Sequence, residues 1–192
     1  MHNEELCFTP ATELARMIRS KAVSPVEVAQ AVLERIERLN PQLNAICTLT
    51  ADSALAAARA AETAVMRGDN LGPLHGLPVT IKDLAMTRGV KTMAGSNVFS
   101  QRTPEIDHLH VERLRAAGAI AIGKTTVSEF GWSGVSRSPL TGITHNPWKR
   151  GMNAGASSAG AAVGAAAGFG PLHQGSDGAG SIRMPAGFCG VY

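Results

Sequence analysis

Between Ala154 and Gly170 the chain carries almost nothing larger than a methyl or hydroxymethyl group, Val163 and Phe169 being the exceptions. Side chains this small let neighbouring backbone approach closely, and tight packing of a helix against its surroundings is the expected use. The stretch from Ala154 to Leu172 is also uncharged. A membrane span is the competing reading, but Gly, Ala and Ser supply little transfer energy to hydrocarbon. A close-packed helix is expected, neither a span nor a disordered tract.

Elsewhere helices alternate with short strands. Thr9-Pro10 is a helix-start signal, and Leu14, Met17 and Ile18 follow at helical spacing. Ser24-Pro25-Val26-Glu27 combines a capping box with proline at the first helical position. Ala29, Val32, Leu33 and Ile36 then share a face, and Asn40-Pro41 is expected to stop that helix. Ala51–Val65 reads as an Ala-rich helix ending near Gly68. Gly76 to Ile81 is a short apolar, β-branched run, a buried strand with Pro78 at its start or edge. Asp107–Ala117 fits a helix capped by Gly118, and Ala119 to Ile122 a second buried strand. This rhythm predicts an α/β fold, a mixed, mostly parallel sheet covered by helices on both faces. Residues 1–70 read as a helical N-terminal region and 71–192 as the core carrying the site.

Composition closes off several classes of function. Eighteen basic and 15 acidic residues give a net charge of +3 without basic runs, so nucleic acid is not an expected partner. Cys7, Cys47 and Cys189 are odd in number and form no CxxC, which argues against a disulfide scaffold or a zinc site. No metal or organic cofactor is expected. The N-terminus lacks the basic start and apolar run of a signal peptide, so a cytoplasmic protein without a membrane span is expected.

The strongest chemical signal is the loop from Gly175 to Ser181, preceded by the double serine Ser157-Ser158. Glycines let several backbone N–H groups converge on one point, which suits an anion or an oxyanion. A serine ending such a loop could attack a carbonyl held there. A Gly-rich turn packing a strand against a helix is the plainer alternative. A phosphate loop is a third, although Gly-x-x-x-x-Gly-Lys-[Ser/Thr] is absent.

Five segments in order resemble the amidase signature family: Gly72 to Asp83, Gly123 to Phe130, Asn146-Pro147-Trp148, Ser157-Ser158, and Gly180 to Arg183 with Phe188-Cys189-Gly190. Seventy-five residues separate Lys82 from Ser157 and 24 separate Ser157 from Ser181, consistent with that family's arrangement. The resemblance implies an amidase-signature fold and hydrolysis of a carboxamide C–N bond through an acyl-enzyme. It implies Ser181 as nucleophile, Ser157 as a bridging serine joined by a cis peptide bond, and Lys82 as base. The N–H groups of Gly178, Ala179, Gly180 and Ser181 would form the oxyanion hole, with Ser158 and Ser176 in support. A small-molecule amide is the implied substrate, and a homodimer is possible. A lysine of ordinary pKa is neutral about once in 2,500 at pH 7, so this one should be buried among hydroxyls.

The sequence departs from the family in places. Ala156 and Ala179 stand where glycine is usual, which puts the loop geometry in question if either needs positive φ. An inactive amidase-like protein is the corresponding alternative. Met184 stands where the glutaminyl-tRNA amidotransferase branch has glutamine, favouring a general amidase over a component of such an amidotransferase. Members of the family continue well past a position equivalent to Tyr192, so a fragment with exposed strand edges and weak activity is expected. His145 and His173 read as packing or surface residues, and Cys189 as packing beside the site. Arg183 either grips a substrate carboxylate or pairs with Asp177. Trp132 and Trp148 read as core or pocket wall.

Overall fold

The computed structural model describes residues 2–191. Three helices come first: α1 (Asn3–Phe8), α2 (Ala11–Arg19) and α3 (Pro25–Leu43). The capping box of α3 closes from both sides, Ser24 Oγ accepting the Val26 N–H at 2.9 Å and Glu27 accepting the Ser24 N–H at 2.8 Å. The expected stop at Asn40-Pro41 is corrected. The helix continues to Leu43 and ends on Asn44 in the left-handed conformation at φ 52°. A proline in the last turn removes one helical hydrogen bond, too little to end the helix there. Asn40 instead turns the chain, its Oδ1 accepting the N–H groups of Ala45 and Ile46 at 2.8 and 2.9 Å.

That turn starts β1 (Ile46–Leu49), so residues read as wholly helical also supply a strand. Then follow α4 (Ala51–Arg67), β2 (Pro78–Lys82), α5 (Leu109–Ala116), β3 (Ile120–Thr125), a hairpin of β4 (Arg137–Ser138) and β5 (Gly142–Ile143), α6 (Ala159–Ala167), β6 (Leu172–His173) and α7 (Arg183–Cys189). The main sheet has the order β1-β3-β2-β6. β1 runs antiparallel to β3, while β2 is parallel to both β3 and β6. The sheet is thus mixed and mostly parallel, and Pro78 is the first residue of its strand, where a missing N–H is tolerated.

Leu77, Ile120 and Ile122 bury against α2, α3, α4 and α6 in the main core. Val79 and Ile81 point the other way and meet Val111 of α5 in a smaller one. Both faces are therefore covered. Fully buried Ile18, Val28, Val32 and Ile36 each contribute about 2 kcal/mol from apolar burial.

Between β2 and β3 the register slips by one residue: Val79 faces Ala121, but Thr80 faces Gly123. Ile122 is the extra residue of a β-bulge, and beyond it the side chains of β3 exchange faces. The helix of small residues is α6. A Cβ on its Gly160 would lie 2.5 Å from the Ala45 carbonyl oxygen and 2.6 Å from the Thr126 nitrogen, which is how closely the backbones approach. Among the described residues no helix is long and apolar enough to cross a membrane.

Candidate active site

Lys82 ends β2 on the same face as Thr80, and α6 covers that face. Its side chain is 1% exposed. Its amine lies 2.8 Å from Ser157 Oγ, 2.8 Å from Ser158 Oγ, 3.0 Å from Ser176 Oγ and 3.2 Å from the Ser176 carbonyl. Its backbone N–H donates to Gln174 Oε1 at 3.0 Å, which ties the strand to the following loop. Burial brings the pKa down to about 8, with Asp177 opposing weakly. Roughly one such lysine in ten is neutral at pH 7, about two hundred times more than in water. The N-terminus of α6 begins at Ser158, and its positive end further disfavours a cation there.

Ser158 donates its own proton to the Ser176 carbonyl at 3.1 Å, so towards Lys82 it acts as acceptor. Ser157 Oγ makes no other hydrogen bond among the described residues, which leaves its proton free to move towards the amine. All peptide bonds among the described residues are trans, so the expected cis linkage at Ser157 is corrected. A non-proline cis bond costs about 3 kcal/mol and persists only where the surroundings enforce it. Here the trans chain already delivers Ser157 to the lysine.

Ser181 is half-buried, and its carbonyl accepts the Ser158 N–H at 3.1 Å. Its main chain is thereby fixed beside the double serine, while its hydroxyl makes no hydrogen bond to Ser157. The loop before it is organised by Asp177, whose carboxylate accepts the N–H groups of Gly180, Ile182 and Arg183 and pairs with the Arg183 guanidinium at 2.8 Å. The Arg183 hydrogen bonds hold Asp177 well below the usual carboxylate range. The Gly180 N–H is thus committed to Asp177 at 2.7 Å and is not free for an oxyanion, whereas those of Gly178, Ala179 and Ser181 have no acceptor among the described residues. Ala156 and Ala179 both lie outside the positive-φ region, and the demanding positions are their neighbours Gly155, at φ 106° against Pro185, and Gly180, at φ 103°. The Cβ atoms of the two alanines therefore impose no backbone strain.

His173 bridges β2 and β6. Its Nε2 donates to the Gly170 carbonyl at 3.0 Å, and Thr80 Oγ1 therefore donates to Nδ1 at 2.8 Å. It does not approach Ser181 as a base would. Cys189 is buried, whereas Trp132 and Trp148 are 93% and 73% exposed, so a core role for either tryptophan is corrected. Both lie in loops, and Trp132 lines an open pocket with Phe130, Val135 and Met152, the pocket-wall alternative. Among the described residues no three His, Cys, Asp or Glu side chains converge to hold a metal. Sequence reasoning passed over Lys124, buried at 1% on the opposite face of the sheet, and Gln174. An ionisable residue in a strand next to Gly123 was the available signal for the first.

The ordering of a buried lysine, a double serine and a Gly-Ser turn has a counterpart in known proteins. A family model described as Amidase matches residues 27–192. The chain belongs to the amidase family. An acylamidase of Rhodococcus erythropolis is 42% identical over 191 residues, covering 100% of this chain and 40% of the relative. A component of the glutamyl-tRNA(Gln) amidotransferase of Carboxydothermus hydrogenoformans is 40% identical over 187 residues, covering 97% of the chain and 39% of the relative. A solved structure from a vestigial protein complex, tied to the origins of an s-triazine catabolic enzyme, superposes with a TM-score of 0.91 at 37% identity, over 95% of this chain and 40% of that one. The fold is the amidase fold, and the chain spans about 40% of the length of these relatives.

Proposed function

We propose that the chain is the lysine- and serine-bearing part of an amidase that cleaves a carboxamide C–N bond through an acyl-enzyme. The observation that carries this is the Lys82 amine, buried without a carboxylate partner and 2.8 Å from Ser157 Oγ. Ser181 Oγ, turned onto Ser157, attacks the substrate carbonyl carbon. Its proton passes to Ser157 Oγ, and the Ser157 proton passes to the Lys82 amine. The developing oxyanion is received by N–H groups of the 178–181 loop, with Gly180 contributing only if it leaves Asp177. Collapse breaks the C–N bond, the lysine returns the proton to the departing ammonia or amine, and water then releases the acid by the reverse route. Ser158 and Ser176 hold the amine in place. A small-molecule amide is the substrate class, and no step calls for a metal or organic cofactor.

Treatment with a fluorophosphonate probe tests the reading. An adduct on Ser181, abolished in Ser181→Ala and strongly reduced in Lys82→Ala, is expected; equal labelling with and without Lys82 refutes the base role. A second reading, the amide-cleaving component of a glutamyl-tRNA amidotransferase, is favoured by the relatives of that name at 40–41% identity. It predicts a stable complex with other components of that enzyme and glutamine hydrolysis dependent on tRNA. Met184 beside Arg183 weighs for the general amidase.

A further inference from the structure

Lys124 is the second fully buried lysine, and nothing in the proposed chemistry uses it. Its amine lies 2.5 Å from the Ala85 carbonyl, 2.8 Å from Thr87 Oγ1 and 3.0 Å from Thr92 Oγ1. Both hydroxyl protons are engaged elsewhere, that of Thr87 on the Ala85 carbonyl and that of Thr92 on the Val90 carbonyl, each at 3.1 Å. Lys124 thus faces three lone pairs and no donor, the arrangement of a three-donor ammonium. Lys82 differs, because Ser157 still has a proton to give. Burial pulls both lysines towards about 8. Hydrogen bonds that only the charged form can make offset that pull at Lys124 alone. The titratable groups facing Lys124 are Asp83, Cys47, Arg102, Asp107 and His110.

The acceptors of Lys124 belong to the segment that leaves Lys82. The Ala85 N–H donates to the Lys82 carbonyl at 2.9 Å, and the Asp83 N–H donates to the Thr125 carbonyl at 3.1 Å. The Asp83 carboxylate accepts the Met93 N–H at 3.0 Å, next to Thr92. Ala94 donates to the Asp83 carbonyl at 3.1 Å and accepts the Phe130 N–H at 2.9 Å. Gly131, one residue further, sits where an added Cβ would lie 3.5 Å from Ser157 Oγ. The contacts therefore run from Lys124 around both sides of the Lys82–Ser157 pair.

We propose that Lys124 is a positioning residue for Lys82: a permanently charged buried ammonium that clamps the 83–92 segment and thereby keeps the Lys82 amine dry and against Ser157. The inference rests on Lys82 being the base, yet its test needs no turnover. The chain is prepared with 13C at the lysine Cε, and each lysine is titrated by NMR. In the wild type, Lys82 is expected to titrate well below the ordinary lysine value of about 10.4, while Lys124 keeps its proton throughout that transition. In Lys124→Met the Lys82 midpoint should rise by at least half a pH unit, since the loosened site admits water. Thr92→Val and Thr87→Val remove one acceptor each without changing charge, and should raise it less, in the same direction. They decide the matter alone if Lys124→Met does not fold. An unchanged Lys82 midpoint in the folded variants, or Lys124 losing its proton together with Lys82, overturns the proposal. Loss of Ser181 labelling is a separate result, so failure of the clamp and failure of the amidase reading are told apart.

Discussion

The Lys82 amine and the Ser157 hydroxyl meet at 2.8 Å across 75 residues of chain. The ion pairs of the described residues are made by Arg16, Arg35, Arg67, Arg115 and Arg183, so this amine faces hydroxyls and no carboxylate. An uncompensated buried amine gives up its proton more readily than a paired one, which suits proton transfer better than charge pairing. Ser157→Ala should therefore slow fluorophosphonate labelling of Ser181 about 10²- to 10⁴-fold. Ser158→Ala, which loses an acceptor for the lysine and the hydrogen bonds to Ser176 but no group that relays the proton, should slow it roughly tenfold. Rates measured under identical conditions decide the ranking, and a larger effect for Ser158→Ala contradicts it.

Labelling should also follow the protonation of Lys82. Burial disfavours the cation, so the folded group loses its proton near pH 8. The rate should rise about tenfold per pH unit below that point and level off above it. Stability carries the matching sign. The unfolded lysine keeps its proton to about pH 10.4, so between the two values the unfolded state binds more protons and stability rises with pH. A labelling rate flat from pH 6 to 9 contradicts the assignment of the base.

Acid should act through His173, whose pKa is lowered to about 4 by burial, with the Gly170 hydrogen bond opposing. The unfolded histidine takes up its proton near pH 6.5, so stability should fall from there towards pH 4 and level off below. The loss should be about 3 kcal/mol. Urea melts of the wild type and His173→Gln across that range check it: the variant should start less stable and show a shallower decline.

Gly160 offers a substitution whose sign runs against helix propensity. Alanine is normally better than glycine inside a helix by about 1 kcal/mol. In α6 the added carbon would meet the Ala45 and Thr126 backbone at 2.5 and 2.6 Å, so Gly160→Ala should destabilise by roughly 2 kcal/mol or more. Gly187 in α7 meets nothing within 4 Å, and Gly187→Ala should be neutral to stabilising. Thermal melts of the pair separate crowding from propensity.

What could be read from the chain alone was what depends on neighbours in sequence. The Ser24 capping box, the apolar run ending at Lys82, the Gly118 turn and the small-residue helix each carry a local signature. β1 did not, since Ile46 to Leu49 is four residues long and takes its identity from β3, some 75 residues on. Pro41 misled because a helix stop depends on how many turns remain. Trp132 and Trp148 look like core residues by type, and their exposure is set by what surrounds two loops. The engagement of the Gly180 N–H by Asp177 is a matter of loop conformation that spacing cannot express. Lys124 was missed because its face depends on a slip between strands that hydrophobic alternation does not record.

That slip has an outcome of its own. With an unbroken ladder Lys82 would stand directly beside Lys124, two amines crowded into a single chamber. The added Ile122 changes the parity of β3, so Thr125 takes that place and each lysine occupies a compartment alone. Were Ile122 drawn into line opposite Thr80, the two separately housed amines would become a repelling couple.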